Sequence, residues 1–89
     1  MKIRVLYFAG LRERLGIDTE VVELPADIGT VGQLRQWLID RGGVWAEALA
    51  VPSAGRDTLR AAVAQQMASA STPLIEDAEV AFFPPVTGG

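Results

Sequence analysis

The residues of this sequence best suited to do chemistry are its last two, Gly88 and Gly89, and the chemistry open to them is that of one carboxylate. They follow Phe82-Phe83-Pro84-Pro85-Val86-Thr87, a run that can neither continue a helix nor donate regularly to a sheet. Pro84 and Pro85 lack an amide hydrogen and hold φ at about −65°, which sends the chain out of the fold in extended form. Residues 84–89 then reach roughly 20 Å, at 3.3–3.6 Å per residue. Two residues without side chains fit a channel too narrow for any other, and they place the Gly89 carboxylate at its end. An arm of this build suits delivery of a carboxylate to another protein's active site. A frayed terminus can also finish in glycine, but it does not require the two aromatics and two prolines that precede the pair here.

Nothing else in the chain assembles an active site of a common kind. It has no cysteine and no histidine, which excludes disulfides, thiol catalysis and any thiolate or imidazole metal ligand. The eleven acids are scattered rather than grouped at ligand spacing, so no metal site is expected. Ser53, Ser69 and Ser71 have no histidine to activate them, and Lys2 is the sole lysine. Net charge is −3 and the eight basic residues form no stripe with interleaved aromatics, which argues against nucleic acid as a partner. No apolar run approaches the roughly 20 residues that a membrane span needs. Met1-Lys2-Ile3-Arg4-Val5-Leu6 reads as a strand with charges inside it rather than a signal peptide, so the expected location is cytoplasmic, with no membrane partner.

The elements that must carry the arm belong to one domain, read as residues 1–83, with 84–89 as an extended flexible tail. Ile3 to Ala9 reads as a strand whose later half, Val5-Leu6-Tyr7-Phe8, is apolar at every position, as expected when both faces are covered. Leu11 and Leu15, four apart and followed by Gly16, predict a turn or two of helix. Thr19 to Leu24 reads as a second strand, paired hairpin-like with the first. Thr30-Val31-Gly32-Gln33 has the spacing of a capping box. Val31, Leu34, Leu38 and Arg41 follow at helical spacing, with Trp37 widening the core face and Gly42-Gly43 at the stop. Val44 to Leu49 reads as a short irregular helix, and Pro52 to Asp57 as a loop. Leu59 to Ala68 reads as one alternating strand with Gln65 as its polar exception, Pro73 to Asp77 as a turn, and Ala78 to Phe83 as the last strand. The sum is an α+β domain, one long helix packed across a mixed sheet with short extra helices.

These residues bring the chain close to a known family. It resembles the small, sulfur-carrier subunits of molybdopterin synthase, which are β-grasp (ubiquitin-like) proteins. The resemblance runs through Val5-Leu6-Tyr7-Phe8-Ala9, Leu11-Arg12-Glu13-Arg14-Leu15-Gly16, Thr30-Val31-x-x-Leu34-Arg35, Ala61-Ala62-Val63 and Pro73-Leu74. It is strongest in the closing run Glu79-Val80-Ala81-Phe82-Phe83-Pro84-Pro85-Val86-Thr87-Gly88-Gly89. The resemblance implies that a ubiquitin-activating-like adenylyltransferase uses ATP to adenylate Gly89, and that a sulfur donor converts the adenylate to a thiocarboxylate. The tail then enters the large, catalytic subunit, where two transfers turn cyclic pyranopterin monophosphate into molybdopterin. It implies a heterotetramer with two copies of each subunit, acid–base groups on the large subunit, and no cofactor bound by this chain. Gly88 and Gly89 would be the reacting end, with Phe83, Pro84, Pro85, Val86 and Thr87 contacting the partner.

Met67 and Phe83 match family positions that contact a partner, although ordinary core would account for them equally well. Arg12 matches an arginine near the tail's base, and a solvated helix charge accounts for it almost as well. Glu76, Asp77 and Glu79 read as a solvated turn in preference to a steering patch. Three departures stand out. Ala64 replaces the family's usual asparagine, Glu76-Asp77-Ala78 replaces its Asp-Gly turn, and residues 46–58 match poorly. A carrier serving thiamine or another sulfur pathway, and a ubiquitin-like modifier joined to target lysines, remain as alternatives.

Overall fold

Alternation along the first strand decides which side of the sheet becomes the core. In the computed structural model, which describes residues 1–84, β1 (Lys2–Tyr7) buries Ile3, Val5 and Tyr7 and turns Lys2, Arg4 and Leu6 the other way. β2 (Thr19–Glu23) runs antiparallel to it with Val22 opposite Ile3, the hairpin-like pair expected from the sequence. Between them α1 (Ala9–Leu15) buries Leu11, and Gly16 at φ 80° closes it by donating its N–H to the Arg12 carbonyl.

α2 (Val31–Ile39) starts as its capping box demands. Thr30 Oγ1 accepts from the Gln33 N–H, and Gln33 Oε1 accepts from the N–H groups of Gly29 and Thr30. The amides of Val31 and Gly32 donate to the carbonyls of Thr72 and Ala70, so no donor of the first turn is left unmatched. Val31, Leu34 and Leu38 form the buried stripe.

The helix stops earlier than its spacing predicts. It ends at Ile39 with Asp40 as C-cap, and Gly42 and Gly43, at φ 78° and 55°, open α3 (Gly43–Leu49) instead of merely closing α2. The helix expected to be long thus has only 9 residues, and the two short helices expected beside it, α1 and α3, have 7 residues each. Arg41 falls in the break. Its guanidinium lies 4.4 Å from the Trp45 ring centroid and 5.4 Å from that of Trp37, and it grips Glu20 at 2.9 and 3.0 Å.

A second difference lies at 59–68. The single strand read there is a hairpin of β3 (Arg60–Val63) and β4 (Gln66–Ala68), joined by Ala64 and Gln65 at φ 49° and 69°. Two consecutive positive φ values mark the two-residue turn whose twist matches that of its strands. That turn favours Asn-Gly or Asp-Gly, so Ala-Gln gives no turn signal, and the polar exception in the alternation is the turn itself.

β5 (Glu79–Phe83) lies at the centre, parallel to β1 and antiparallel to β3, in a sheet of order β2-β1-β5-β3-β4. Ile3, Val5, Tyr7, Val80, Phe82, Ala61 and Val63 pack from the sheet against Leu11, Leu34, Leu38 and Leu49 of the helices. This is the mixed α+β sheet that the β-grasp resemblance implies. Burial of Phe82 alone contributes on the order of 2–3 kcal/mol. The positive φ before β5 falls on Asp77 (66°), a residue type that tolerates it, and not on Ala78, so the turn forms without the glycine. The acidic cluster is tied into the fold. Glu76 accepts from the Lys2 N–H, Asp77 donates its N–H to the Lys2 carbonyl at 2.8 Å, and Glu79 pairs with Arg4 at 3.5 Å. Among the described residues no helix is long and apolar enough to cross a membrane.

Candidate functional site: the tail root and the open sheet face

The strand that carries the tail has two different faces. Val80 and Phe82 point into the core, so Glu79, Ala81 and Phe83 point away from it. The register sets Leu6 on one side of Ala81 and Ala62 on the other, with Met67 beyond Ala62. Leu6, Ala81, Ala62 and Met67 thus make an apolar row across the side of the sheet opposite the helices. Leu6, Ala62 and Ala81 are half-buried, whereas Met67 is 67% exposed. Phe8 continues past the Tyr7–Phe82 pair, donates its N–H to the Phe82 carbonyl at 3.2 Å, and leaves its ring 44% exposed. A contiguous apolar face of this kind marks a surface meant to be covered.

The apolar run Val5-Leu6-Tyr7-Phe8 is accordingly not a strand covered on both faces by its own chain. Val5 and Tyr7 are covered, while Leu6 and Phe8 belong to the open side. Met67 is outside the core altogether. Phe83 is half-buried, the last residue of β5, cross-strand from Arg60.

Pro84 lines a groove of about 270 Å³ together with Gly10, Leu11 and Arg14 of α1, Arg35, and the Asp57–Leu59 segment. Arg14 shares this groove with Pro84. Arg12 lines a different, shallower depression with Gly16, Ile17 and Asp18. Pro85, Val86, Thr87, Gly88 and Gly89 lie outside the described residues.

Two acidic groups, Asp57 in the groove wall and Tyr7 in the core, are displaced from their ordinary behaviour. The Arg35 guanidinium, hydrogen-bonded to Asp57, holds that carboxyl below the usual range, aided by the Leu59 N–H and Arg60. Burial pushes the Tyr7 phenol far up, and its hydrogen bond to Glu20 at 2.8 Å adds to the effect. Tyr7 therefore stays neutral and serves as a donor holding β2 to β1. Among the described residues no group of three or more carboxylates could hold a metal ion.

Comparison with known proteins places this arrangement. The model of the ThiS family matches residues 5–89. The chain belongs to the ThiS family. Among ThiS-like relatives, it is 47% identical over 87 residues to the molybdopterin synthase sulfur carrier subunit of Escherichia coli K12, covering 98% of this chain and 99% of that one. A solved Pyrococcus furiosus protein assigned as molybdopterin converting factor subunit 1 is 30% identical, with a TM-score of 0.76 and coverage of 97% and 99%. The small archaeal modifier protein 1 of Haloferax volcanii shares the fold at a TM-score of 0.74 and 24% identity, covering 96% of this chain and 98% of that one.

Within this ThiS-family domain, sequence reasoning missed Leu6, Phe8, Ala62 and Ala81 as members of the open face. The signal was present in part, since Leu6 and Phe8 share one strand parity, as do Ala81 and Phe83. What was lacking was the pairing of β1 with β5, which no local pattern announces. Arg14 was missed because it differs from Arg12 only in where α1 sits against the tail root.

Proposed function

We propose that this chain is the sulfur-carrier subunit of molybdopterin synthase. The observation that carries the reading is its 47% identity, over 98% of its length, with the Escherichia coli protein of that name. The open apolar face beside the root of the Gly-Gly tail supports it, because a carrier has to dock before its end can react. The Gly89 carboxylate attacks the α-phosphorus of ATP on an adenylyltransferase, and pyrophosphate leaves. A sulfide-level nucleophile then displaces AMP from the acyl carbon to give the thiocarboxylate. A carboxylate is a poor electrophile until it gains such a leaving group, and the thio form keeps a nucleophilic sulfur at a fixed address. Docked through Leu6, Ala62, Ala81 and Met67, the carrier presents that sulfur in the large subunit's active site. There a C–S bond forms on a side-chain carbon of cyclic pyranopterin monophosphate as a C–O bond at that carbon breaks, water hydrolyses the acyl–sulfur bond to return the Gly89 carboxylate, and a second charged carrier supplies the other sulfur. The chain is the donor half of a sulfurtransferase and has no catalytic site of its own. A charging step that consumes ATP suits the cytoplasm, the location expected from the sequence.

The test is intact mass after incubation with ATP, an adenylyltransferase of this type and sulfide. One terminal oxygen exchanged for sulfur, and no exchange in a Gly89 deletion, is the expected result. A deletion variant that still passes sulfur to the pterin would overturn the reading. Conjugates to target lysines in place of a thiocarboxylate would assign the chain to the modifiers, with which it shares its fold.

A further inference from the structure

The connection from α3 to β3, residues 50–59, contains neither helix nor strand, and one side chain from another element holds both of its ends. Arg35 of α2 donates from Nε to the Leu49 carbonyl at 2.7 Å and from Nη2 to the Ala50 carbonyl at 2.8 Å, the end of α3 where carbonyls have no helical partner. The same guanidinium reaches the far end of the connection, with Nη1 2.6 Å from Asp57 Oδ2 and Nη2 3.2 Å from Asp57 Oδ1. Asp57 Oδ1 also accepts from the Leu59 N–H at 3.3 Å, and its carbonyl accepts from Arg60 at 3.1 Å. Only 12% of the Arg35 side chain is exposed. Among the described residues, no hydrogen bond reaches Val51 to Arg56 from elsewhere in the fold, so the connection is held at its two ends. A planar fork with several donors can make this junction, whereas an ammonium cannot.

The segment fixed in this way is one wall of the groove at Pro84. Pro52, Asp57, Thr58 and Leu59 line it together with Gly10, Leu11, Arg14 and Pro84, the first residue after β5. We propose that the Arg35–Asp57 pair is a positioning device for the tail: by tying both ends of residues 50–58 to α2, it fixes the wall beside Pro84 and so sets the direction in which the chain leaves the sheet there. The inference rests on the sulfur-carrier reading and deepens it. The open sheet face supplies affinity for the large subunit, and the wall supplies the aim of the arm once the two have docked. Arg35 and Asp57 touch no reacting atom. Loss of the pair therefore lowers the rate at which a docked carrier reacts and leaves docking unchanged, since misdirection at the root is amplified along the arm.

The experiment uses full-length chain carrying a chemically prepared thiocarboxylate, with the large subunit and cyclic pyranopterin monophosphate, in single turnover. Asp57→Ala is expected to lower the saturating rate roughly tenfold. Half-saturation in large subunit stays as in the parent chain, and Asp57→Glu recovers part of the rate. Arg35→Lys, which keeps the charge but not the fork, behaves like Asp57→Ala. An unchanged saturating rate overturns the proposal, as does a loss of rate that appears only together with weaker docking and a lowered melting temperature. If the parent chain itself passes no sulfur, the carrier reading fails, and nuclear relaxation of the Val86 amide then decides the positioning role. A lower order parameter in Asp57→Ala than in the parent supports it, and equal values overturn it.

Discussion

Replacing Ala64 with asparagine should make this domain more stable, although it removes no clash and adds no buried surface. Ala64 opens the β3–β4 turn at φ 49°, and Gln65 follows at 69°. An L-residue in this left-handed region sits roughly 1–2 kcal/mol above its right-handed alternative, and asparagine tolerates the region far better because its short polar side chain can bond locally. Ala64 is exposed, so its methyl group contributes little packing. The backbone bond from its N–H to the Glu79 carbonyl, at 2.9 Å, survives the change. If asparagine recovers about half of the strain, the gain is about 0.5–1 kcal/mol. In a domain of this size that raises the melting temperature by roughly 2–8 °C. Ala64→Gly relieves the strain more fully but gives back about 0.4–1 kcal/mol through the freedom of the unfolded chain, so it gains less than its geometry promises. Ala64→Val moves the other way, because a β-branched residue resists positive φ.

Thermal unfolding followed by circular dichroism, with urea midpoints at unchanged m-value, measures the series. Ala26→Asn, at an exposed position of ordinary φ, is the control. The ranking Asn above Ala above Val at position 64, and no gain at position 26, is the expected outcome. Equal stability of the parent and Ala64→Asn would refute the argument, since nothing but backbone conformation separates them.

Tyr7→Phe removes the donor to Glu20 and should cost about 0.5–1.5 kcal/mol in urea unfolding, with no added loss when Glu20 is already alanine. Gly32→Ala places a Cβ 3.0 Å from the Ala70 carbonyl oxygen and 3.1 Å from its Cβ. The carbonyl is pinned by the Gly32 N–H at 2.8 Å, so crowding of about 1–3 kcal/mol outweighs the ~1 kcal/mol gain in helix propensity, and the melting temperature falls. Asp57 has a depressed carboxyl, so its stabilising contribution is complete above the ordinary carboxylate range and is lost as pH falls through the depressed value. The stability gap between the parent and Asp57→Asn should therefore close below about pH 4 in a pH series of urea midpoints. Met67→Asp, at a residue 67% exposed, should shift stability by less than about 0.5 kcal/mol yet weaken association with the large subunit tenfold or more in titration calorimetry.

How much could be read from sequence depended on how local each signal was. The capping box at Thr30 and Gln33 was legible because four consecutive residues contain it, and the structure forms both of its bonds. That β1 and β5 are strands was legible for the same reason, although the sequence reading covered both faces of β1 where the structure covers one. The β3–β4 turn was not, because its Ala-Gln pair adopts by constraint from the flanking strands what Asn-Gly adopts by preference. The end of α2 was misplaced because Gly42-Gly43 reads equally as a stop and as a start. At the site, the sequence singled out Met67 and Phe83 but left their surroundings open. Leu6, Ala62 and Ala81 join them only through register, and the parallel pairing of β1 with β5 spans most of the chain. Arg35 and Asp57 are 22 residues apart, one of them in the segment whose sequence matched poorly. Their pairing is a property of the fold alone.

The central place of β5 has a consequence for how the domain comes into being. β1 bonds to β2 on one side and β3 to β4 on the other, but only β5 joins the two halves. Until residues 79–83 have left the ribosome there are two hairpins that no sheet pairing joins, and Val80 and Phe82 are missing from the core. Long-range closure of this kind is slow to form and, once formed, cooperative. The strand that completes the fold is also the one from which the Gly-Gly arm departs, so folding and presentation of the arm's root are a single event. An activating enzyme that recognises the assembled sheet would pass over unfinished or misfolded chains without any separate inspection step.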